Sequence, residues 1–147
     1  MPQGVLVDGS NSWIHTLDAC DPKKQQSAID TLFELERAGD TALSSETLAE
    51  YANVTLKKFG LPANSIYKHI EGYEASLTVY VPSPVIVLEA VRGVRDQRFS
   101  YDDAQIWAAA KLNQVAVVLS EDFNVGAKVQ AVRFVNPFDV NFDPKAF

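Results

Sequence analysis

Runs of hydrophobic and polar positions divide this chain into strands and helices that alternate. Residues 4–8, GVLVD, form a short apolar run closed by an acid and read as a buried strand. GSNSWIHTLDAC, which follows, reads as a turn opening into a short helix. From Asp21 the period becomes helical. Asp21 is the expected N-cap, Pro22 takes the first helical position and Gly39 follows the last turn. Ala28, Ile29, Leu32 and Leu35 form the expected apolar stripe of this helix. TALS, 41–44, is a second strand, and Ser45 opens a helix that stops by Gly60. Leu48, Ala52, Thr55 and Phe59, with Tyr51 alongside, make its buried face, whereas Glu46, Glu50 and Asn53 share a polar one.

Pro62 breaks the chain, and NSIYKHIEGYEAS reads as a helix weakened by Gly72. LTVYV, 77–81, is a strand. Ser83 and Pro84 open a helix that runs to about Gln97, and Ser100 opens another that ends near Asn113. VAVVLS, 115–120, has almost no polar interruption, as a strand covered on both faces requires. EDFNVGAK reads as a loop, AVRFV as the last strand and NPFDVNFDPKAF as a tail. Strands alternating with helices predict an α/β fold, a three-layer α/β/α sandwich around a mostly parallel sheet. No repeat, low-complexity tract or linker divides it.

Composition narrows the class. The chain has 147 residues, 47% apolar and 22% charged, the profile of one globular domain. No apolar run reaches the roughly 20 residues that span a bilayer. The first residues, MPQGVLVDGS, lack the basic and apolar regions of a signal peptide. Cys20 is the single cysteine, so an internal disulfide is impossible and a cysteine-rich zinc site is excluded; a reducing cytoplasm is the expected compartment. The formal charge of −6 argues against indiscriminate coating of nucleic acid, though not against an enzyme that cuts it.

The acids carry the chemistry. In open parallel sheets the functional site lies beyond the carboxyl ends of the strands, where the strand order reverses. Asp8 closes the first strand, Asp122 follows the fourth, Asp102 and Asp103 begin the helix before it, and Glu50 lies early in the helix after the second strand. Carboxylates gathered at one edge repel each other unless a cation joins them, and oxygen ligands in that number suit Mg²⁺ or Mn²⁺. Each acid also has an ordinary role. Ser100-Tyr101-Asp102-Asp103 has capping-box spacing, Glu50 fits a solvated face and Asp122 fits a turn cap. Asp8 is hardest to explain that way, because an acid ending an apolar strand is costly to bury without partners.

VLVDGSN, LSSETLAEYANVTLKKFG, FSYDDAQIWAAA and VVLSEDFNVGAKVQAVRFVNPF, in this order and spacing, resemble the PIN-domain family, and among its members the bacterial VapC-type toxins. The resemblance runs from Val5 to Phe138, implying a nuclease-like domain over residues 1–138 and a tail over 139–147. It assigns the family acids to Asp8, Glu50 rather than Glu46, Asp103 rather than Asp102, and Asp122. Ser10 or Asn11 would support the metal site; the usual Asp-Thr-Asn start is altered by Gly9, which leaves the two open. Asn136-Pro137-Phe138 matches a closing motif and reads as structural.

What the resemblance implies is a Mg²⁺- or Mn²⁺-dependent endoribonuclease, the toxin of a type II toxin–antitoxin pair. It would cut RNA to leave 5′-phosphates, with one or two metals. Its expected partners are an RNA substrate, a small antitoxin protein and a second copy of the chain. The apolar surface of the early helices is the expected place for the protein partners. A PIN nuclease in RNA processing and a non-catalytic α/β binding module are the alternatives. A receiver-type phosphotransfer domain fits less, since Asn136-Pro137 follows the last strand where a lysine is wanted. His15 and His69 are the only histidines, which weakens a histidine-pair ribonuclease. Arg92, Arg95 and Arg98, with Lys57 and Lys58, are candidates for phosphate contact or solvated helix ends. Trp13 and Trp107 are candidates for base stacking, and Trp107, inside IWAAA, reads rather as core or a dimer contact.

Overall fold

A computed structural model describes residues 4–7, 20–39, 41–121, 128–139 and 141–143, the side chains of Glu36 and Ala38 excepted. Along these the chain runs β1 (Val5–Val7), α1 (Pro22–Ala38), β2 (Thr41–Ser44), α2 (Ser45–Lys57), α3 (Ala63–Ser76), β3 (Thr78–Tyr80), α4 (Pro84–Gln97), α5 (Tyr101–Leu112), β4 (Val117–Leu119), β5 (Lys128–Val129) and β6 (Val132–Val135). The turn and helix expected between Gly9 and Ala19, and most of the EDFNVGAK loop, lie outside the described residues.

Helix boundaries follow local chemistry. The Asp21 carboxylate accepts from the Lys24 amide at 3.2 Å, Pro22 begins α1, and Gly39 ends it with φ of 80°, a conformation that costs glycine little. Ser44, Ser83 and Ser100 accept from the amides of Glu46, Ile86 and Asp103 to cap α2, α4 and α5. Gly72 does not interrupt α3.

The strands form one sheet in the order β3-β2-β1-β4-β6-β5, parallel except where β5 pairs antiparallel with β6. Side chains alternate between its faces with the period of a strand. Leu6, Ala42, Val118, Val132 and Phe134 pack with residues of α4 and α5 on one face. Val5, Val7, Leu43, Val117 and Leu119 pack with Leu35 of α1, Tyr51 of α2 and Tyr73 of α3 on the other. This is the three-layer α/β/α sandwich that the alternation of elements predicts.

The α4–α5 layer is the tightest part. Trp107 is 1% exposed, and its Cζ3 lies 2.8 Å from where a Cβ on Gly93 would stand, so the glycine lets the two helices meet. Its indole N–H donates to the Val129 carbonyl at 3.2 Å, which confirms Trp107 as core. Glu89, 7% exposed, accepts from Lys111 at 2.6 Å and from Arg92 at 2.7 Å. A carboxylate at that depth needs such partners, because an unpaired one is expensive to bury.

Two expectations change. Ile29 is 42% exposed and Thr31 takes its place in the core, because Ala28, Thr31 and Leu35 share the angle that faces the sheet. The region read as loop up to Lys128 ends in β5, a two-residue strand joined to β6 through Gln130 and Ala131. Both turn residues have positive φ, 46° and 74°, without the Asn-Gly pair that marks such hairpins in sequence. Lys111 holds the turn through the Gln130 side chain at 2.6 Å.

Candidate functional site

β1 is central, with β2 on one side and β4 on the other. The connection that leaves β1 leads to β2, and the one that leaves β4 leads toward β6, so the strand order reverses between β1 and β4. That crevice, at the carboxyl ends of the strands, is the binding position this class of sheet offers. Val7 is level with Leu43 of β2 and with Leu119 of β4.

Three elements line the same edge. Ser44, the last residue of β2, caps α2, so the N-terminus of α2 stands directly over the edge. The buried Gln105 of α5, 4% exposed, donates from its side-chain amide to the Glu46 carboxylate at 2.8 Å, which brings the first turn of α5 beside the first turn of α2. Glu121, just past β4, is paired with Lys24 of α1, whose ammonium also lies 5.3 Å from the Phe138 ring centroid. The Ser120 amide donates to the Val135 carbonyl at 2.9 Å and extends the β4–β6 ladder to this edge.

Of the sequence-predicted ligands, two fall in described residues. Glu50 is exposed, one turn beyond Glu46 on α2. Asp103 is half-buried in the first turn of α5, where its own amide donates to the Ser100 hydroxyl at 3.3 Å. Asp102 is exposed beside it. Asp8, Ser10, Asn11 and Asp122 lie outside the described residues, as do His15 and Trp13. Among the described residues, no group of three or more His, Cys, Asp or Glu side chains is arranged to hold a metal ion.

Two of the three arginines offered as phosphate contacts are engaged elsewhere. Arg92 is bound to Glu89, and Arg95 makes two hydrogen bonds, at 2.7 and 2.9 Å, to the adjacent Asp96. Those bonds hold the Asp96 carboxyl below its usual range and raise the Arg95 guanidinium. Arg98 caps α4 in the left-handed region, with φ of 58°. Lys58 lies over the Phe59 ring at 5.4 Å. His69 is hydrogen-bonded through Nδ1 to the Tyr51 hydroxyl at 3.1 Å. Burial, with Tyr73 beside it, pushes the Tyr51 phenol well above its ordinary 10.0.

A cleft of about 200 Å³ lies at the opposite, amino edge of the sheet. Its lining, with Gly4, Thr41, Thr78 and Val115 from the starts of four strands, holds no acid or base. The described acids and bases considered above lie toward the carboxyl edge instead. Sequence reading missed Gln105 and Lys24 there. The signal for Gln105 was a single amide in the apolar run AQIWAAA, which burial obliges to find a partner.

No family model matches the sequence, and no curated protein does either. Solved structures do match. One, from a toxin–antitoxin complex of Klebsiella pneumoniae, superposes with a TM-score of 0.65 at 20% identity, over 93% of this chain and 100% of that one. A second is VapC20 of Mycobacterium tuberculosis, described as a sarcin–ricin loop cleaving toxin, with a TM-score of 0.66 at 17% identity over 88% of this chain and 99% of that one. The chain has the fold of these two proteins over nearly its whole length. That fold is the three-layer α/β/α sandwich over a mostly parallel sheet described above.

Proposed function

We propose that this chain is a metal-dependent endoribonuclease of the PIN-domain family, the toxin of a type II toxin–antitoxin pair acting in the cytoplasm. The observation that carries the reading is the agreement between strand order and the order of acids. The sheet reverses between β1 and β4; in the chain, Asp8 follows the last residue of β1 and Asp122 comes three residues after the last of β4. The likeness of fold to an RNA-cleaving toxin supports the same reading.

In this reading Asp8, Glu50, Asp103 and Asp122 hold one or two Mg²⁺ or Mn²⁺ ions, with Ser10 or Asn11 as a supporting oxygen. The donor set is oxygen alone, which fits these ions and not zinc. A divalent cation bound there supplies Lewis acidity to the phosphoryl oxygens and lowers the pKa of an attacking water. The chain's own contribution is alignment. α2 and α5 turn their N-termini toward the edge, where their dipoles favour a phosphate. The buried Gln105 keeps those two helix starts in fixed relation.

The proposed protein partners are an antitoxin and a second copy of the chain. α1, α2 and α3 do leave Phe33, Leu56 and Tyr67 exposed, yet exposed aliphatics concentrate on α4. Val85, Leu88 and Val91 lie at helical spacing there, with Val87 and Val94 alongside and Val81 just before the helix. Contiguous apolar faces of this kind mark protein contacts. We assign this face to the homodimer. Among the described residues, no helix is long and apolar enough to cross a membrane.

The deciding experiment is cleavage of structured RNA by the purified protein in Mg²⁺ or Mn²⁺, with and without EDTA. Metal-dependent cuts that leave 5′-phosphates support the reading. An intact RNA at every metal concentration overturns it.

A further inference from the structure

The segment after β6 returns over α1 and leaves a groove beside the edge just described. Its first part, about 540 Å³, is lined by Lys23, Lys24 and Asp30 of α1 and by Phe138, Asp139 and Phe142 of the returning segment. Its second part, about 340 Å³, shares Asp139 and Phe142 and continues to Asn136, Asn141 and Arg133. Asp139 and Phe142 line both hollows, so the two lie next to each other along the returning segment. One end adjoins the carboxyl edge, because Lys24 reaches Glu121 at the end of β4.

The chemistry of the lining selects the occupant. Lys23 is exposed on the first turn of α1, and Phe138 and Phe142 are half-buried, so their rings serve both the core and the groove. Cations beside aromatic rings are the parts of a single-strand platform, where phosphates meet the cations and bases lie on the rings. The acids Asp30 and Asp139 exclude a purely acidic ligand. They suit nucleobases, whose amino and imino groups donate to carboxylates while their phosphates carry the opposite charge. A lining of mixed sign thus matches a ligand of mixed character.

We propose that this groove binds the single-stranded RNA flanking the scissile bond, with phosphates against Lys23 and Arg133 and a base on Phe138. The proposal rests on the ribonuclease reading and extends it to the substrate's path. The test uses the full chain and a 12-nucleotide RNA carrying 4-thiouridine, irradiated in Ca²⁺ and digested with trypsin. Cross-links are expected on the peptides that begin at Gln25 and at Phe134. Lys23→Glu is expected to weaken binding of the same RNA by roughly three- to tenfold in fluorescence anisotropy and to raise KM more than it lowers kcat. If wild type binds and cuts RNA while both peptides stay unlabelled and Lys23→Glu binds normally, the groove is overturned and the nuclease stands. If both peptides are labelled and Lys23→Glu binds weakly, yet no metal supports cleavage, the groove stands and the nuclease falls. A chain that neither binds nor cuts RNA overturns both.

Discussion

The side-chain amide of Gln105 donates to the carboxylate of Glu46 across 2.8 Å, and through this one bond the first turns of α5 and α2 are held together. Gln105 is buried whereas Glu46 is exposed, so the bond can be lost without stranding a buried charge. Gln105→Leu is therefore expected to change unfolding free energy by no more than about 1 kcal/mol in denaturant titration. In the proposed mechanism cleavage depends on the relative placement of Glu50 and Asp103, and small misplacements of catalytic groups are costly, so the rate should fall about tenfold or more. Equal rates in wild type and variant would show that the two helix starts need no tie.

Asp103→Asn and Glu50→Gln test the ligands directly. An amide still suits the first turn of α5, and the amide-to-Ser100 bond is made by the backbone and survives. Both variants should melt within a few degrees of wild type by circular dichroism. Both should lose about a hundredfold or more in metal-dependent cleavage, since a neutral amide is a poor ligand for Mg²⁺.

Gly93→Ala tests the α4–α5 contact. The added methyl group would stand 2.8 Å from Trp107 Cζ3 and 3.0 Å from Cε3, and Phe99 packs on the same ring with centroids 5.5 Å apart. The indole has little room to retreat. Overpacking of this kind costs about 1–3 kcal/mol, which calorimetry should read as a Tm lower by roughly 3–10 °C.

Tyr51 gives the stability a pH dependence on the alkaline side. Its phenol titrates higher in the folded chain than its ordinary 10.0, so unfolded chains lose that proton first. The sign follows: the contribution is fully present below pH 10.0 and is lost as pH rises toward the folded value. Denaturant midpoints measured above pH 10 should fall more steeply for wild type than for Tyr51→Phe.

Leu88→Glu tests the exposed face of α4. Leu88 is 68% exposed, so a charge there leaves the folded monomer's stability nearly unchanged. Sedimentation should show dimers for wild type and monomers for the variant.

Most boundaries were legible because their signals are local. Asp21-Pro22, Ser83-Pro84 and Ser100 announce helices whose starts depend on side chains one to three residues away. α5 is buried on nearly every side and so lacks an amphipathic period, yet its cap and length still gave it away. β5 was not legible. It exists because β6 pairs with it across a two-residue turn that lacks the usual turn residues, and because Trp107 and Lys111, about twenty residues away, hold the hairpin.

Candidate chemistry was legible to a different degree. Acids at strand ends pointed to one edge, and the strand order puts the reversal at the ends of the strands that Asp8 and Asp122 follow. The partners of the arginines were not foreseen, because Glu89 reads as one more exposed helical acid until α5 packs Lys111 against it. The same holds for Lys24, whose role appears only when α1 is laid beside Glu121 and Phe138.

Val5 is matched to Thr41 on one side and to Val117 on the other. A ribosome making this chain must therefore synthesise more than a hundred further residues before the middle of the sheet gains its second neighbour. Pairings so distant in sequence form late and slowly. Until then β1 remains an open edge, and the nascent polypeptide lacks the crevice between its two central strands. The architecture thus carries its own delay: the crevice between β1 and β4 can assemble only after β4 has been made.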